Sequence, residues 1–523
     1  MDSPDSDKIT VMESLTLSVP EQHDFTDPTV ERDPERLRAR LTNLPLMDVV
    51  ETVRQVTSAL ESLNEQRVDA ELRLQLLDVF RDTVLRLFVT VDPLHLRQLA
   101  LSKAQRDQAT RGVEQLLLGM AGGYKIIIKA YYDTAGQRPP DRLYGMAVNH
   151  ALEQLAYVLL DCYRFYRSVP DDLFSELHQL YRIARHHGLL DVATEGEAES
   201  EVLFTSATIY HAALLLSLTD PFRLAEGEVG LLNDVLKQHA EQCRVIPGNS
   251  WSGKSEGLFF VDLKNGGPPA SCLHLESPVD GEEPYLLDAR NALAAVRERL
   301  AQTPAKVRQQ SPEAMVLRRL LPEQADPRKT REARHPDSRW VELLLGLENI
   351  HAYQETLARK PGAAQDPARE YREPSPCRIL DSSEGGMRLA WDDGGAGDAR
   401  VGELLGVVED GRRLQLAVIR SIRVYREGGM EIGVQLIPGN TAPVYCRALE
   451  YDDDPSQRAL FMAASEDEGV TATLVMAKGL YTRGRRLLID VSGKEVHACA
   501  GRNVFDGPVF DRFEFAADSD DTA

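Results

Sequence analysis

The sequence predicts an α+β multidomain protein: an all-α N-terminal region, as a helical bundle or a solenoid-like stack, followed by a small β-barrel and a second small β domain. Apolar residues recur at helical spacing from about residue 34 to residue 243. From residue 340 onward, short runs with a period near two dominate instead. This change of period places the helices before the strands along the chain.

The helical domain is predicted to span residues 34–245. In the stretch "MDVVETVRQVTSALESLN", Val49, Val53, Val56 and Leu60 share one helix face, and at least seven such helices are expected. Histidines in this region lack a cysteine or carboxylate partner at ligand spacing, so packing or surface roles are expected and no metal site is predicted. The helical domain therefore looks like a module that binds a protein partner or forms oligomers.

Residues 246–325 are predicted to form a mixed connector with a short strand and helices. Its stretch "IPGNSWSGKSEG" has the spacing of a nucleotide-binding P-loop, with Gly248, Gly253, Lys254 and Ser255 at the motif positions. A P-loop leaves a buried parallel strand and opens into a helix, because the helix N-terminus faces the phosphates. Here the strand-like run "GLFFVDL" follows, so a Ser/Gly connector is the preferred interpretation.

About eleven short strands are expected after residue 340, separated by turns such as "EDGRR" and "VSGKE". Eleven strands are too many for one small barrel. The polar stretch "EYDDDPSQ" favours a division near residue 450, which gives one barrel over residues 326–450 and a second, barrel-like domain over residues 451–516.

The two ends of the chain are predicted to be disordered acidic tails. Residues 1–33 are acidic and interrupted by prolines without sustained periodicity, and residues 517–523 resemble them.

The overall composition limits the classes of partner. A net charge of −22 opposes nonspecific binding to nucleic acid polymers or anionic lipid. Six scattered cysteines without a C-x-x-C pair indicate reduced thiols, and no segment is long and apolar enough for membrane insertion. A cytoplasmic protein is therefore expected.

Two features of the first predicted barrel carry the functional hypothesis. One is the basic stretch "DPRKTREARHPDSRW", and the other is "CRILDSSEGGMRLAW", in which Asp381, Ser383 and Gly386 form D-x-S-x-x-G between two strands. Arginine forms bidentate hydrogen bonds with guanine or phosphate, and an aspartate accepts hydrogen bonds from guanine N1–H and N2–H₂. This pairing resembles the PilZ domain, a bacterial receptor domain for cyclic di-GMP, over residues of about 326 to 447.

The resemblance implies a PilZ-like barrel that binds cyclic di-GMP and contains no cofactor, metal or catalytic residue. The ligand-binding residues that it implies are Arg328, Arg331, Arg334, His335, Asp381, Ser383 and Gly386. The sequence departs from the family motif R-x-x-x-R, because Arg331 matches the first arginine and His335 stands at the second. Losing one bidentate contact costs about 1–3 kcal/mol, and Arg334 or Arg339 is a candidate to compensate.

Two functions remain open at this point. The first is a non-enzymatic receptor that binds cyclic di-GMP and relays the signal to the helical, partner-binding domain. The second is a scaffold or adaptor protein whose degenerate barrel no longer binds nucleotide. An enzyme is not predicted, since neither a G-x-S-x-G elbow nor an H-E-x-x-H motif occurs. The long stretch between Arg331 and Asp381 predicts an inserted helix or loop.

Overall fold

The chain divides into two compact units, residues 1–221 with 226–328 and residues 222–225 with 329–523. The first unit contains most of the helices, and the second contains two β-barrels. A computed structural model describes residues 16–24, 27–28, 30–45, 48–133, 141–193, 204–248, 256–264, 266–272, 285–321, 334–358, 372–392, 399–411, 413–449, 456–464, 471–491 and 493–517.

The first unit contains nine α-helices between residues 34 and 239 in the part of the chain that the structure describes. An aspartate before the first turn begins several of them, because its carboxylate accepts an amide hydrogen that has no partner inside the helix. Asp33, Asp69 and Asp141 act in this way. The helices are α1 (Pro34–Thr42), α2 (Val49–Asn64), α3 (Ala70–Thr90), α4 (Pro93–Gln98), α5 (Lys103–Asp133), α6 (Arg142–Arg164), α7 (Leu173–His186), α8 (Ser206–Leu218) and α9 (Glu228–His239).

Helix α5 packs closely against α2 and α3 because glycines lie at the contacts. A Cβ atom on Gly112 would overlap the side chain of Val53 on α2. A Cβ atom on Gly123 would lie 2.7 Å from Cδ2 of Leu77 on α3. The absence of side chains at these two positions lets the helix backbones approach each other.

Part of the predicted N-terminal tail is ordered against the helices, which corrects the expectation of disorder over residues 1–33. Leu17 is buried, and the backbone amide of Ser18 donates to Oε1 of Glu176 at 3.0 Å. These contacts hold the segment because Glu176 is itself buried on α7. Residues 1–15 lie outside the described part of the chain.

Where the sequence predicted a mixed connector, the first unit contains an antiparallel four-stranded sheet and two more helices. The strand order is β1-β4-β2-β3, with β1 (Arg244–Pro247), β2 (Leu258–Val261), β3 (Ala270–Ser271) and β4 (Tyr285–Asp288), followed by α10 (Arg290–Gln302) and α11 (Pro312–Leu320).

The P-loop pattern falls between β1 and β2. Gly253, Lys254 and Ser255 lie outside the described residues, but strand β2 begins soon after them at Leu258. Strand β1 pairs antiparallel with β4. An antiparallel strand before the pattern and a strand after it agree with a connector and not with a phosphate-binding loop.

The second unit begins with a closed, six-stranded antiparallel barrel of order β6-β9-β10-β11-β8-β7. A short strand, β5, extends this sheet by pairing with β7. The bounds are β5 (His335–Pro336), β6 (Trp340–Leu345), β7 (Ser375–Ser383), β8 (Gly386–Trp391), β9 (Leu404–Glu409), β10 (Arg413–Val424) and β11 (Met430–Ile437). Helix α12 (Leu347–Ala358) follows β6, which confirms the predicted insertion.

A second closed barrel follows, of order β12-β13-β14-β17-β16-β15. Its strands are β12 (Thr441–Ala448), β13 (Gln457–Met462), β14 (Thr473–Ala477), β15 (Arg486–Val491), β16 (Lys494–Asp506) and β17 (Phe510–Ala517). The predicted division near residue 450 is too late, because β12 pairs with β13 and β15. The chain passes between the barrels just before Thr441, through a turn in which Gly439 has a φ of 115°.

The two barrels share one hydrophobic core. Leu460 and Phe510 of the second barrel are buried in the same cluster as Leu404 and Leu416 of the first, and Ile350 of α12 belongs to it as well. The interior of the second barrel forms a separate cluster. The outer face of the second barrel is therefore packed against the first barrel and α12.

In the described residues, no helix has the combination of length and hydropathy that crossing a membrane requires. Within the same residues, no group of three or more His, Cys, Asp and Glu side chains is placed to hold a metal ion.

Candidate ligand site on the first barrel

The D-x-S-x-x-G motif forms the tight hairpin between β7 and β8. Ser383 lies opposite Gly386 in the strand register, and its hydroxyl donates to the Gly386 carbonyl oxygen at 3.3 Å. A Cβ atom on Gly386 would overlap the backbone carbonyl oxygen of Val434 on β11. Only glycine fits there without a shift of the backbone, so the motif glycine keeps the hairpin close to β11.

Strand β5 brings the arginine segment to this hairpin. His335 and Pro336 pair with Ser382 and Asp381 of β7. Both β5 residues are exposed. The backbone pairing places Arg334, the residue just before β5, beside Asp381.

Arg334 and Asp381 form the contact that joins the two sequence features. Nη1 of Arg334 lies 2.7 Å from Oδ1 of Asp381, whose side chain is only 13% exposed. The two predicted features therefore lie on the same patch of one barrel. Arg328 and Arg331 of the predicted site lie outside the described residues.

Arg388 is a member of this cluster that the sequence analysis missed. Its Nε lies 2.7 Å from Oδ2 of Asp381, and its Nη1 lies 3.1 Å from Oε1 of Glu431 on β11. Strand register was the available signal: Ser383 pairs with Gly386 across the hairpin, so residues two positions further out, Asp381 and Arg388, face each other.

Arg339, the other arginine considered as a substitute for the missing motif arginine, has different partners. It forms ion pairs with Asp337 at 2.8 Å and with Glu409 at 3.4 Å. Hydrogen bonds from Arg339 lower the pKa of Asp337 to about 2. Of the two arginines of the segment that the structure describes, Arg334 contacts Asp381 and Arg339 contacts Asp337 and Glu409.

The chemistry of the cluster is that of a hydrogen-bonding surface. Asp381 is an acceptor with both oxygens engaged by guanidinium groups, and the arginines present planar donors to solvent. The buried thiol nearest in sequence is Cys377, and burial raises its pKa to about 12, so it is a neutral thiol at physiological pH.

Comparison with known proteins identifies the family. The family model described as "Cyclic-di-GMP receptor FimW, N-terminal domain" matches residues 35–248. The model described as "Cyclic-di-GMP receptor FimW, middle PilZ domain" matches residues 308–443, which include all of the first barrel and its cluster of Arg334, Asp381 and Arg388. The chain belongs to the PilZ-domain family. The first barrel is its PilZ domain, as the resemblance in the sequence predicted.

A similar protein is the cyclic-di-GMP receptor FimW of Pseudomonas aeruginosa strain PAO1. The alignment is 24% identical over 581 residues and covers 96% of this chain and 93% of the relative. The similarity therefore extends beyond the PilZ domain to the helical unit and the second barrel. No solved structure matches the chain.

Proposed function

We propose that the protein is a non-enzymatic cytoplasmic receptor that binds cyclic di-GMP on the outer face of its PilZ domain. The observation that carries the proposal is the 2.7 Å contact between Arg334 and Asp381, which joins the arginine segment to the D-x-S-x-x-G hairpin. The similarity to a cyclic-di-GMP receptor over 96% of the chain supports the same ligand.

Each predicted site residue has a chemical role in this proposal. Asp381 accepts hydrogen bonds from N1–H and N2–H₂ of one guanine, and Ser383 bonds to a base edge or phosphate beside it. Gly386 keeps the hairpin close to β11, so that the ligand can approach the strands. The arginines of the basic segment supply bidentate contacts to guanine or phosphate. They are Arg328, Arg331 and Arg334, with His335 at the motif's second arginine position.

Ligand binding requires an exchange of partners at Asp381. Its two oxygens now accept from Arg334 and Arg388, whose side chains are 48% and 46% exposed. Water screens the arginine end of each pair and weakens both contacts, although the Asp381 carboxylate itself is only 13% exposed. A guanine that forms two hydrogen bonds with the carboxylate is therefore able to displace an arginine, which is then free to contact the ligand.

Calorimetric titration of the full chain with cyclic di-GMP tests the proposal. Saturable binding is expected, with Asp381→Ala and Arg331→Ala each raising Kd by roughly tenfold to more than a hundredfold, since a good bidentate contact contributes about 1–3 kcal/mol. Glu342→Gln is the matched control, because Glu342 is an exposed acid on β6 outside the cluster. A flat titration of the wild-type protein would favour the scaffold function instead.

We also propose that ligand binding is relayed to the helical unit, which binds an unidentified protein partner. Ligand binding beside Asp381 would shift an equilibrium between conformations of the chain, by no more than the difference in ligand affinity between them. Amide hydrogen exchange in the helical unit is expected to change on addition of ligand. Unchanged exchange there, with saturated binding at the PilZ domain, would contradict the relay.

A further inference from the structure

Arg388 lies at the centre of a row of polar side chains that crosses four strands or strand ends of the PilZ domain. Its Nε and Nη2 lie 2.7 Å from Oδ2 of Asp381, and its Nη1 lies 3.1 Å from Oε1 of Glu431. Arg334 contacts the other oxygen of Asp381, and the Tyr425 hydroxyl donates to Oε2 of Glu431 at 2.8 Å. Carboxylates on β7 and β11 therefore hold the guanidinium of β8 from both sides.

The guanidinium of Arg388 is both oriented and accessible. Its side chain is 46% exposed although three of its nitrogen atoms have acidic partners. Partial burial acts to lower its pKa, but the hydrogen bond with Asp381 and the charge of Glu431 raise the pKa above its ordinary value. A side chain that is already oriented loses little conformational entropy when a ligand binds to it.

The charge balance of the row indicates which part of the guanidinium a ligand would use. Arg334 and Arg388 face Asp381 and Glu431, so the formal charges of the four groups cancel. A compensated cation attracts a phosphate weakly, because the neighbouring carboxylates repel the same anion. The planar face of a guanidinium still stacks on aromatic rings, including purines.

We infer that Arg388 is a ligand-binding residue that stacks on a purine base of the cyclic dinucleotide, and that Glu431 and Tyr425 are positioning residues that hold its plane. The inference rests on the proposed function. It also bears on His335 at the second arginine position of the motif, because β8 supplies a second guanidinium beside Asp381 in addition to that of Arg334.

The test is calorimetric titration of the full chain with cyclic di-GMP for Arg388→Ala and Arg388→Lys. Lysine keeps the charge but lacks a planar group, so both variants are expected to raise Kd about tenfold. Arg413→Ala is the matched control, because Arg413 is an exposed arginine on β10 that lies opposite Glu409 and outside the row. Thermal unfolding of each variant verifies that the barrel remains folded.

A double-mutant comparison tests the positioning residues. Glu431→Gln is expected to raise Kd about threefold in the wild-type background and to have no further effect in Arg388→Ala, since its role is exerted through the guanidinium. Additive effects of the two substitutions would overturn the positioning role.

Three outcomes overturn the inference in distinguishable ways. If Arg388→Ala binds within about twofold of wild type while Asp381→Ala does not, the stacking contact is wrong and the proposed function stands. If Arg388→Lys restores wild-type affinity, the contact is one of charge and not of stacking. If the wild-type protein shows no binding, the proposed function and this inference are both overturned.

Discussion

Asp381 is held in the candidate site by two partners, Arg334 and Arg388, which lie on either side of it in the sheet. A carboxylate that is 13% exposed is stable there because two arginines donate to its oxygens. Replacing Asp381 leaves Arg334 and Arg388 without this acceptor, but both reach solvent and remain hydrated. Loss of the acid is therefore expected to affect ligand binding far more than folding.

A substitution at Gly386 tests the local geometry of the hairpin between β7 and β8. In Gly386→Ala the new methyl group would overlap the Val434 carbonyl oxygen, and the backbone must shift to relieve it. We expect a loss of about 1–3 kcal/mol in the free energy of unfolding, measured by urea denaturation. In the control Gly230→Ala, on α9, the methyl group meets no atom within 4 Å, and a gain of about 0.5–1 kcal/mol is expected. An unchanged denaturation midpoint in Gly386→Ala would contradict the argument.

His211 is expected to make stability depend on pH. The residue is buried on α8, and burial lowers its pKa to about 4, although Nδ1 lies 3.2 Å from the Ala240 carbonyl oxygen. The folded pKa lies below the unfolded value of about 6.5, so the unfolded chain binds more protons as the pH falls between them. Stability is therefore lost from about pH 6.5 towards pH 4, by about 2 kcal/mol at pH 5.

Urea denaturation followed by far-ultraviolet circular dichroism at pH 7 and pH 5 measures this effect. His211→Gln is expected to reduce the difference in stability between the two pH values by about 2 kcal/mol, while other buried histidines such as His178 retain their share. His186→Gln, at an exposed histidine on α7, is expected to retain it. Equal pH dependence in both variants would show that other groups cause it.

At the residue scale, the sequence predicts the candidate cluster in part. Asp381 and Arg334 lie 47 residues apart in the sequence, so it was the occurrence of the two motifs together, and not a local pattern, that placed them on one site. Arg388 was missed since its importance depends on register across a hairpin and on Glu431, which is distant in sequence. The hairpin register could have revealed the pairing with Asp381, seven residues away, whereas the contact with Glu431, 43 residues away, has no signature within a short window.

Among the elements, β6 provides a reporter for the site. Trp340 is 65% exposed at the start of β6 and lies opposite Arg378 on β7, three residues from Asp381 and hence about 10 Å along the strand. Trp391 is buried, so it senses the outer face weakly.

We expect cyclic di-GMP to change the tryptophan fluorescence of the protein, because a ligand bound beside Asp381 alters the surroundings of the exposed Trp340. Trp340→Phe is expected to abolish the change, and the matched replacement Trp391→Phe to preserve it. A signal that persists in Trp340→Phe would place the change elsewhere.

The strands were predictable wherever one face is buried. Each of the eleven period-two runs corresponds to one of the strands from β6 to β16, because alternating side chains separate a core face from an outer face. Strand β17 was missed, since Asp511 is buried within it and breaks the alternation. The two-residue strand β5 is too short for any periodicity.

The predicted boundary between the barrels was misplaced. Polar composition indicates a loop, but it does not indicate which strands the loop connects. Residues near 450 connect β12 with β13 inside the second barrel. The actual change of barrel is a short turn before Thr441, where little polar sequence is needed.

At the scale of the whole second unit, the shared core predicts that the barrels unfold together. Leu460 is fully buried in the cluster that both barrels and α12 share, whereas Leu474 is fully buried in the interior of the second barrel. Removing either side chain leaves a cavity that costs about 2–5 kcal/mol. Leu460→Ala is expected to raise amide hydrogen exchange in β9 and β10 of the first barrel as well as in β13.

Leu474→Ala is the matched control, with a primary effect on exchange in the second barrel. Protection of β9 and β10 that is unchanged in Leu460→Ala would show that the barrels are energetically independent despite their contact.

The position of the boundary between the two barrels also determines where the chain can be truncated. A fragment that ends at residue 450 would retain β12 without β13 and β15, and would expose to water the apolar surface around Ile350 and Leu404 that Leu460 and Phe510 now cover. Such a fragment carries a strand with two unpaired edges beside an exposed apolar patch. We expect it to precipitate or to self-associate even though it contains all the residues that we propose to contact the ligand.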